Sequence, residues 1–191
     1  VLYSHFHADQ THGINDLRGF FLATKKKISV YADPATKKYL MSSFNYCFSK
    51  AKFKERIGYP PILDLKNLKK TIKFKIGNKF LKIESIPVKH GNIDCMSFII
   101  NRKLAYASDI NGFYDKDIKF FKNLKYLVID CLRYDYHPSH FILKDILNLL
   151  KILKPKKTIL TNLGVEIDYN TIKKELPINV VPAYDGMQIK L

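Results

Sequence analysis

The stretch Ser4-His5-Phe6-His7-Ala8-Asp9-Gln10-Thr11-His12-Gly13 constrains this chain more than any other. It follows a short apolar run, Val1-Leu2-Tyr3, that reads as the end of a strand. In extended backbone, side chains two apart share a face, so His5, His7 and Asp9 are expected to point the same way. Two imidazoles and a carboxylate then converge without help from distant sequence. That donor set suits zinc or a similar divalent ion. A lone His-x-His is more often a polar loop. Here the same chain adds His90-Gly91 after one predicted strand, Asp109 after another, and His140 at a predicted helix start. A metal site needs such parts from separate elements.

A length of 191 residues suffices for one domain with a sizeable core. A hydrophobic content of 47% with 26% charged residues is globular rather than disordered. The formal net charge of +16 points towards acidic partners such as nucleic acid, phosphorylated substrates or a membrane surface. The basic residues are nearly all lysine, however, with arginine only at Arg18, Arg56, Arg102 and Arg133. Dedicated phosphate and base readers lean on arginine forks. The lysines are spread over every predicted element, as on a solvated surface. A salt-sensitive, non-specific affinity for polyanions follows from the charge alone.

Cys47, Cys95 and Cys131 are far apart and form no Cys-x-x-Cys, so they read as reduced, mostly buried thiols. No signal peptide is visible, and no apolar run approaches the ~20 residues of a membrane span. A cytoplasmic protein without a membrane partner is expected.

Gly13 to Phe20 reads as a loop entering a short helix, and Ile28 to Ala32 as a strand. Asp33-Pro34 supplies an N-cap and first-turn pair, opening a helix through about Asn45. In it Tyr39, Leu40 and Phe44, with Tyr46 just beyond, are packing residues. Residues 49 to 61 are basic, end at Pro60-Pro61, and read as a surface loop. Thr71 to Ile76 and Lys79 to Ser85, joined by Gly77-Asn78, form a hairpin signal. Met96 to Ile100 pairs with Leu104 to Ala107, which delivers Ser108-Asp109. Tyr126 to Ile129 is a continuous apolar run suited to a buried strand. Ser139 is expected to cap a helix from His140 to about Leu153, stopped by Pro155. A strand over Thr158 to Thr161, a helix over Thr171 to Leu176, and strands over Val180 to Ala183 and Met187 to Leu191 complete the prediction. With no repeat or linker, residues 1–191 read as one domain of sheets covered by helices. Nearly every candidate polar residue follows a strand, where a rigid sheet can hold a ligand.

Taken jointly, these residues resemble the metallo-β-lactamase superfamily, whose fold is an α/β (α+β) αββα sandwich. That family carries His-x-His-x-Asp-His, a later His, a bridging Asp and a final His. Here the series stands as His5, His7, Asp9, Gln10, His90, Asp109 and Asn162. The nearest branch in pattern is the cyclic-phosphodiesterase-like group related to an enzyme of phosphonate breakdown. The matching pieces run from His12 to Arg18, then Val88-Lys89-His90-Gly91, Ala107-Ser108-Asp109, His137 to Phe141, Leu176-Pro177 and Ala183 to Gly186. Gln10 and Asn162 stand where the family has metal-binding histidines, and Val165 replaces a further His of this branch. The family's strands upstream of the motif have no counterpart, so an N-terminally truncated domain is expected. The strand ending at Ser4 would then lack a neighbour, which invites a homodimer or aggregation.

The resemblance implies that one metal takes His5, His7, His90 and Asp109, all of which are present. It assigns the second metal to Asp9, Gln10, Asp109 and Asn162, where both imidazoles have become amides. An amide oxygen is a weak zinc ligand, although acceptable to harder cations such as Mn2+. One competent Zn2+ site and one impaired site are therefore expected. His140 matches a catalytic His of the branch, and at a helix N-terminus its cationic form would be disfavoured. It is expected to act beside Asp9, by contact with a phosphate or leaving group. His137 reads as structural. His12 also reads as structural, with a substitute-ligand role as the alternative.

The implied reaction is hydrolysis of a small phosphodiester, assisted by an ion that brings the pKa of water to about 7. Loss of the second ion's clamping costs several kcal/mol of transition-state stabilisation, at about 1.4 kcal/mol per tenfold in rate. Reduced activity is expected. The alternatives are an inactive relic or binding domain retaining the fold, and a nucleic-acid-processing member of the superfamily. No feature of thiol-dependent or β-lactam substrates stands out.

Overall fold

A computed structural model describes residues 1–48 and 60–191. Most of the basic stretch read as a loop over 49–61 therefore lies outside the described residues. The chain divides into two compact units, Val1–Lys69 and Lys70–Leu191.

The first unit carries α1 (Ala8–Thr11), a 3-10 segment (His12–Leu17), α2 (Arg18–Thr24), β1 (Ile28–Ala32), α3 (Pro34–Ser43) and β2 (Leu63–Asn67). β1 and β2 pair in parallel. β2 is a strand that the sequence reading passed over, although Leu63, Leu65 and Asn67 alternate with Asp64 and Lys66. Asp33 caps α3 as expected, accepting from the N–H groups of Ala35 and Thr36. Leu40 is fully buried beside Val30, Ala32 and Ile14, with Phe44 and Tyr46 packed against that cluster.

The second unit is a seven-stranded mixed sheet in sequential order. Its strands are β3 (Thr71–Ile76), β4 (Lys79–His90), β5 (Ile93–Ile100), β6 (Leu104–Ala107), β7 (Tyr126–Asp130), β8 (Lys157–Thr161) and β9 (Val180–Pro182). β3 to β6 pair antiparallel, whereas β6 to β9 pair in parallel. β4 runs on past the predicted Ser85 to His90. Pro87 is tolerated within it because β3 pairs only as far as Glu84, leaving no donor needed on that side.

One face of this sheet buries Val88, Cys95, Ala107, Leu127, Ile129 and Leu160. α4 (Leu143–Leu153) closes it with Leu143, Ile146 and Leu153, spaced for one helical face. α5 (Tyr169–Glu175) adds Ile172. On the opposite face Leu104, Val128 and Ile159 form a smaller cluster with Met187 and Ile189. The last residues are therefore not the predicted strand over Met187 to Leu191. Their alternating side chains lie on the sheet's surface instead of pairing with its edge.

α4 also begins later than predicted. Its first residue is Leu143 and its N-cap is Ile142, with no side-chain cap. Ser139 caps nothing, and His140 lies in the preceding loop. The stretch Pro138 to Phe141 is pinned by other bonds: Phe141 N–H donates to Ile110 O, and the Asn111 amide donates to Pro138 O. Those long-range bonds outcompete the local capping signal.

Candidate active site

In the first unit, His5 is buried and His7 exposed. Their rings meet edge to face with centroids 4.4 Å apart. Ser4 Oγ lies 3.1 Å from His5 Nδ1. The extended reading holds for these two residues and fails for Asp9. His7 is the extended N-cap of α1, so Asp9 sits in the first turn of a helix rather than two steps along a strand. Gln10 donates its amide to Asp9 Oδ2 at 2.8 Å. Burial pushes the Asp9 carboxyl up, but the Gln10 amide, a backbone N–H and the charges of His5 and His7 together hold it below its usual value. His12 bonds Tyr39 OH at 3.3 Å and lies against Phe44, a structural placement.

In the second unit, the sheet brings four strand ends together. His90 ends β4, Asp109 follows β6, Asp130 ends β7 and Asn162 follows β8. Parallel register aligns the last three, since Ala107 sits opposite Ile129 and Asp130 opposite Thr161. Ligand atoms of His90, Asp109 and His140 all lie within 4.8 Å of one another. His90 and Asp109 are buried. The His90 and His140 ring centroids are 4.7 Å apart.

Each imidazole has one nitrogen committed. His90 Nδ1 donates to Ser139 O at 2.8 Å. His140 Nδ1 bonds Asp130 Oδ2 at 2.6 Å. A carbonyl and a carboxylate fix the tautomer, so the lone pair resides on Nε2 in both rings. That arrangement is the usual support of metal-ligating or proton-transferring histidines. Asp109 accepts from Ser108 Oγ at 2.6 Å, which leaves acceptor capacity on the carboxylate. The nitrogen and oxygen donors of His90 and Asp109 fit a borderline divalent ion.

Asp130 was missed by the sequence reading, which treated its neighbours as a plain core strand. It is completely buried. Burial pushes its carboxyl up, and the bonds from His140, the Ile110 N–H and Asn162 pull the other way without cancelling that effect. A carboxylate closing an apolar strand was the only sequence signal. Because α4 starts only at Leu143, His140 does not sit at a helix N-terminus, and Asp130 orients its ring instead. His137 takes a different part: its Nδ1 accepts from Ser139 N–H at 3.2 Å. Burial, then the charges of His140, Arg133 and His90, keep it below its ordinary pKa. Asn162 lines an open cavity of about 420 Å³ with Tyr184, Asp185 and Gly186. Val165 is fully exposed.

The family model of the β-lactamase superfamily domain matches residues 1–161. The chain belongs to that superfamily. Solved structures agree on its metallo-β-lactamase fold. A diphosphatase from the PhnP family superposes with a TM-score of 0.83 at 23% identity, over 100% of this chain and 70% of its own. The metallo-β-lactamase fold protein YhfI from Bacillus subtilis gives 0.73 at 18% identity, covering 98% of this chain and 75% of its own. Zn(2+)-bound PqqB from Methylobacterium extorquens gives 0.72 at 13% identity, covering 100% and 72%. At such identities these neighbours establish the fold. A search of curated proteins finds no match.

Proposed function

We propose that this superfamily member is a hydrolase of small phosphodiesters, of reduced activity, working with a single zinc-type ion. Residues 1–191 act as one metallo-β-lactamase-like domain in this reading, in keeping with a family match that runs through both units. His5, His7, His90 and Asp109 are the proposed ligands. Asp9 is the remnant of a second set. A bound ion would supply Lewis acidity and bring the pKa of a water to about 7.

The observation that carries this reading is the commitment of Nδ1 in both His90 and His140 to oxygen acceptors, beside a buried Asp109. His140, held by Asp130 through Nδ1, is the proposed proton-transfer group: its Nε2 lone pair would take the proton of the attacking water and hand it to the leaving oxygen. The likeness to a PhnP-family diphosphatase favours a phosphoester substrate. The single-ion part draws support from Gln10, whose amide donates to Asp9 and so occupies an oxygen that a second cation would use. That same bond favours a second reading, a domain that keeps the fold and has lost the chemistry.

The deciding experiment is turnover of an activated phosphodiester with added zinc or manganese, comparing the protein with its His7→Ala variant. Faster turnover by the unaltered protein supports the hydrolase, and equal rates leave only the non-catalytic domain. Metal analysis is expected to give one tightly held ion per chain; two would remove the single-site reading.

A further inference from the structure

Asn162 follows β8 with φ 59°, a left-handed conformation that asparagine tolerates better than most side chains. That backbone turns its amide towards the end of β7. Nδ2 donates to Asp130 Oδ1 at 3.2 Å and to Ser108 O at 3.4 Å. The other oxygen of Asp130, Oδ2, takes His140 Nδ1 at 2.6 Å and Ile110 N–H at 3.2 Å. The buried carboxylate is therefore gripped at both oxygens, from three separate segments. Were Oδ1 to lose its donor, the carboxylate could turn about its own axis, and the plane that fixes His140 would turn with it.

We propose that Asn162 is a positioning residue: its amide locks the Asp130 carboxylate in the orientation that holds His140, and position 162 takes no part in binding metal. The proposal rests on His140 being the proton-transfer group of the hydrolase read above. The geometry divides the labour within the site. His90 and Asp109 would hold an ion in that reading, whereas Asn162, Asp130 and His140 form a hydrogen-bonded chain beside them. Asn162 also lines the open cavity next to Tyr184, so the brace and the space for a substrate share one side chain.

The test uses proton NMR of the full chain, with zinc added. His140 Nδ1–H, bonded to a buried carboxylate, should give a sharp downfield resonance, assigned by its loss in His140→Ala. In Asn162→Ala that resonance is expected to broaden into exchange with water, while circular dichroism and zinc content stay unchanged. Turnover should fall about tenfold to a hundredfold, the usual cost of losing such a support, in kcat and not in KM. Asn162→Asp keeps the shape and suits the same backbone but removes the donor, so it must lose the resonance too and guards against a misfolded alanine variant. Asn162→His should still hold one ion. A resonance that persists in both Ala and Asp variants overturns the proposal, as does a second tightly bound ion in Asn162→His. An unaltered protein without turnover sinks the hydrolase reading instead, and leaves the resonance comparison to decide the brace.

Discussion

At His140, orientation is supplied by one buried carboxylate rather than by a helix end. Substituting Asp130 by Asn keeps the volume but offers Nδ1 an amide in place of a charge, so either tautomer can form. Turnover is expected to fall about tenfold to a hundredfold for Asp130→Asn and about a hundredfold to ten-thousandfold for His140→Ala. Zinc content should be unchanged in both, and steady-state kinetics beside metal analysis checks the pair. The neighbouring Cys131 is buried, and burial followed by the Asp130 charge pushes its thiol from 9.0 up to about 12. The native state therefore holds this proton more tightly than the unfolded chain does. Its contribution to stability is complete below about pH 9 and is lost as the pH rises towards 12. Urea unfolding across that window should show a steeper loss in the unaltered protein than in Cys131→Ala. Thiol reagents at pH 8 should leave Cys131 untouched until the chain unfolds.

At the scale of elements, the parallel run β6-β7-β8 converts sequence-distant positions into neighbours. Asp109, Asp130 and Asn162 meet because each stands at or just beyond a strand end in one register. The loop after β8 is held to the loop after β7 through Gly164, whose N–H donates to Leu132 O at 2.8 Å. A Cβ on Gly164 would stand 2.6 Å from that same carbonyl oxygen, so backbone must shift to admit one. Gly164→Ala is expected to cost about 1–3 kcal/mol, read by urea denaturation, and to weaken the Asp130–His140 resonance by moving Asn162. The seven strands of the second unit's sheet were legible, whereas β2 was passed over and the strand expected over Met187 to Leu191 does not form. Gly77-Asn78 between alternating runs marked the β3–β4 hairpin, and Tyr126 to Ile129 marked β7. The errors fell where local signals were cheap to override. Ser139 looked like a cap, but its carbonyl is engaged with His90 and α4 starts at Leu143.

For the molecule as a whole, the proposed ion site would link metal binding to the fold. An ion that binds only the native chain raises stability by about 2.7 kcal/mol at a hundredfold excess over its dissociation constant. Zinc is therefore expected to raise the thermal midpoint, a chelator to reverse the rise, and His90→Ala to abolish it. Differential scanning calorimetry with and without zinc checks all three. No helix among the described residues is long and apolar enough to cross a membrane.

The sequence by itself determined the superfamily and was enough to put forward the donor residues. His5, His7 and Asp9 are close in the chain, and His90 and Asp109 follow strands whose periodicity is read locally. It could not decide which groups pair across the sheet. Asp130 holds His140 and Asn162 braces Asp130 through hydrogen bonds spanning 10 and 32 residues, and such bonds leave no periodic trace. They exist because parallel register aligns the strand ends and because burial leaves a carboxylate no partner but the nearest donors. Only the tertiary structure could assign those donors.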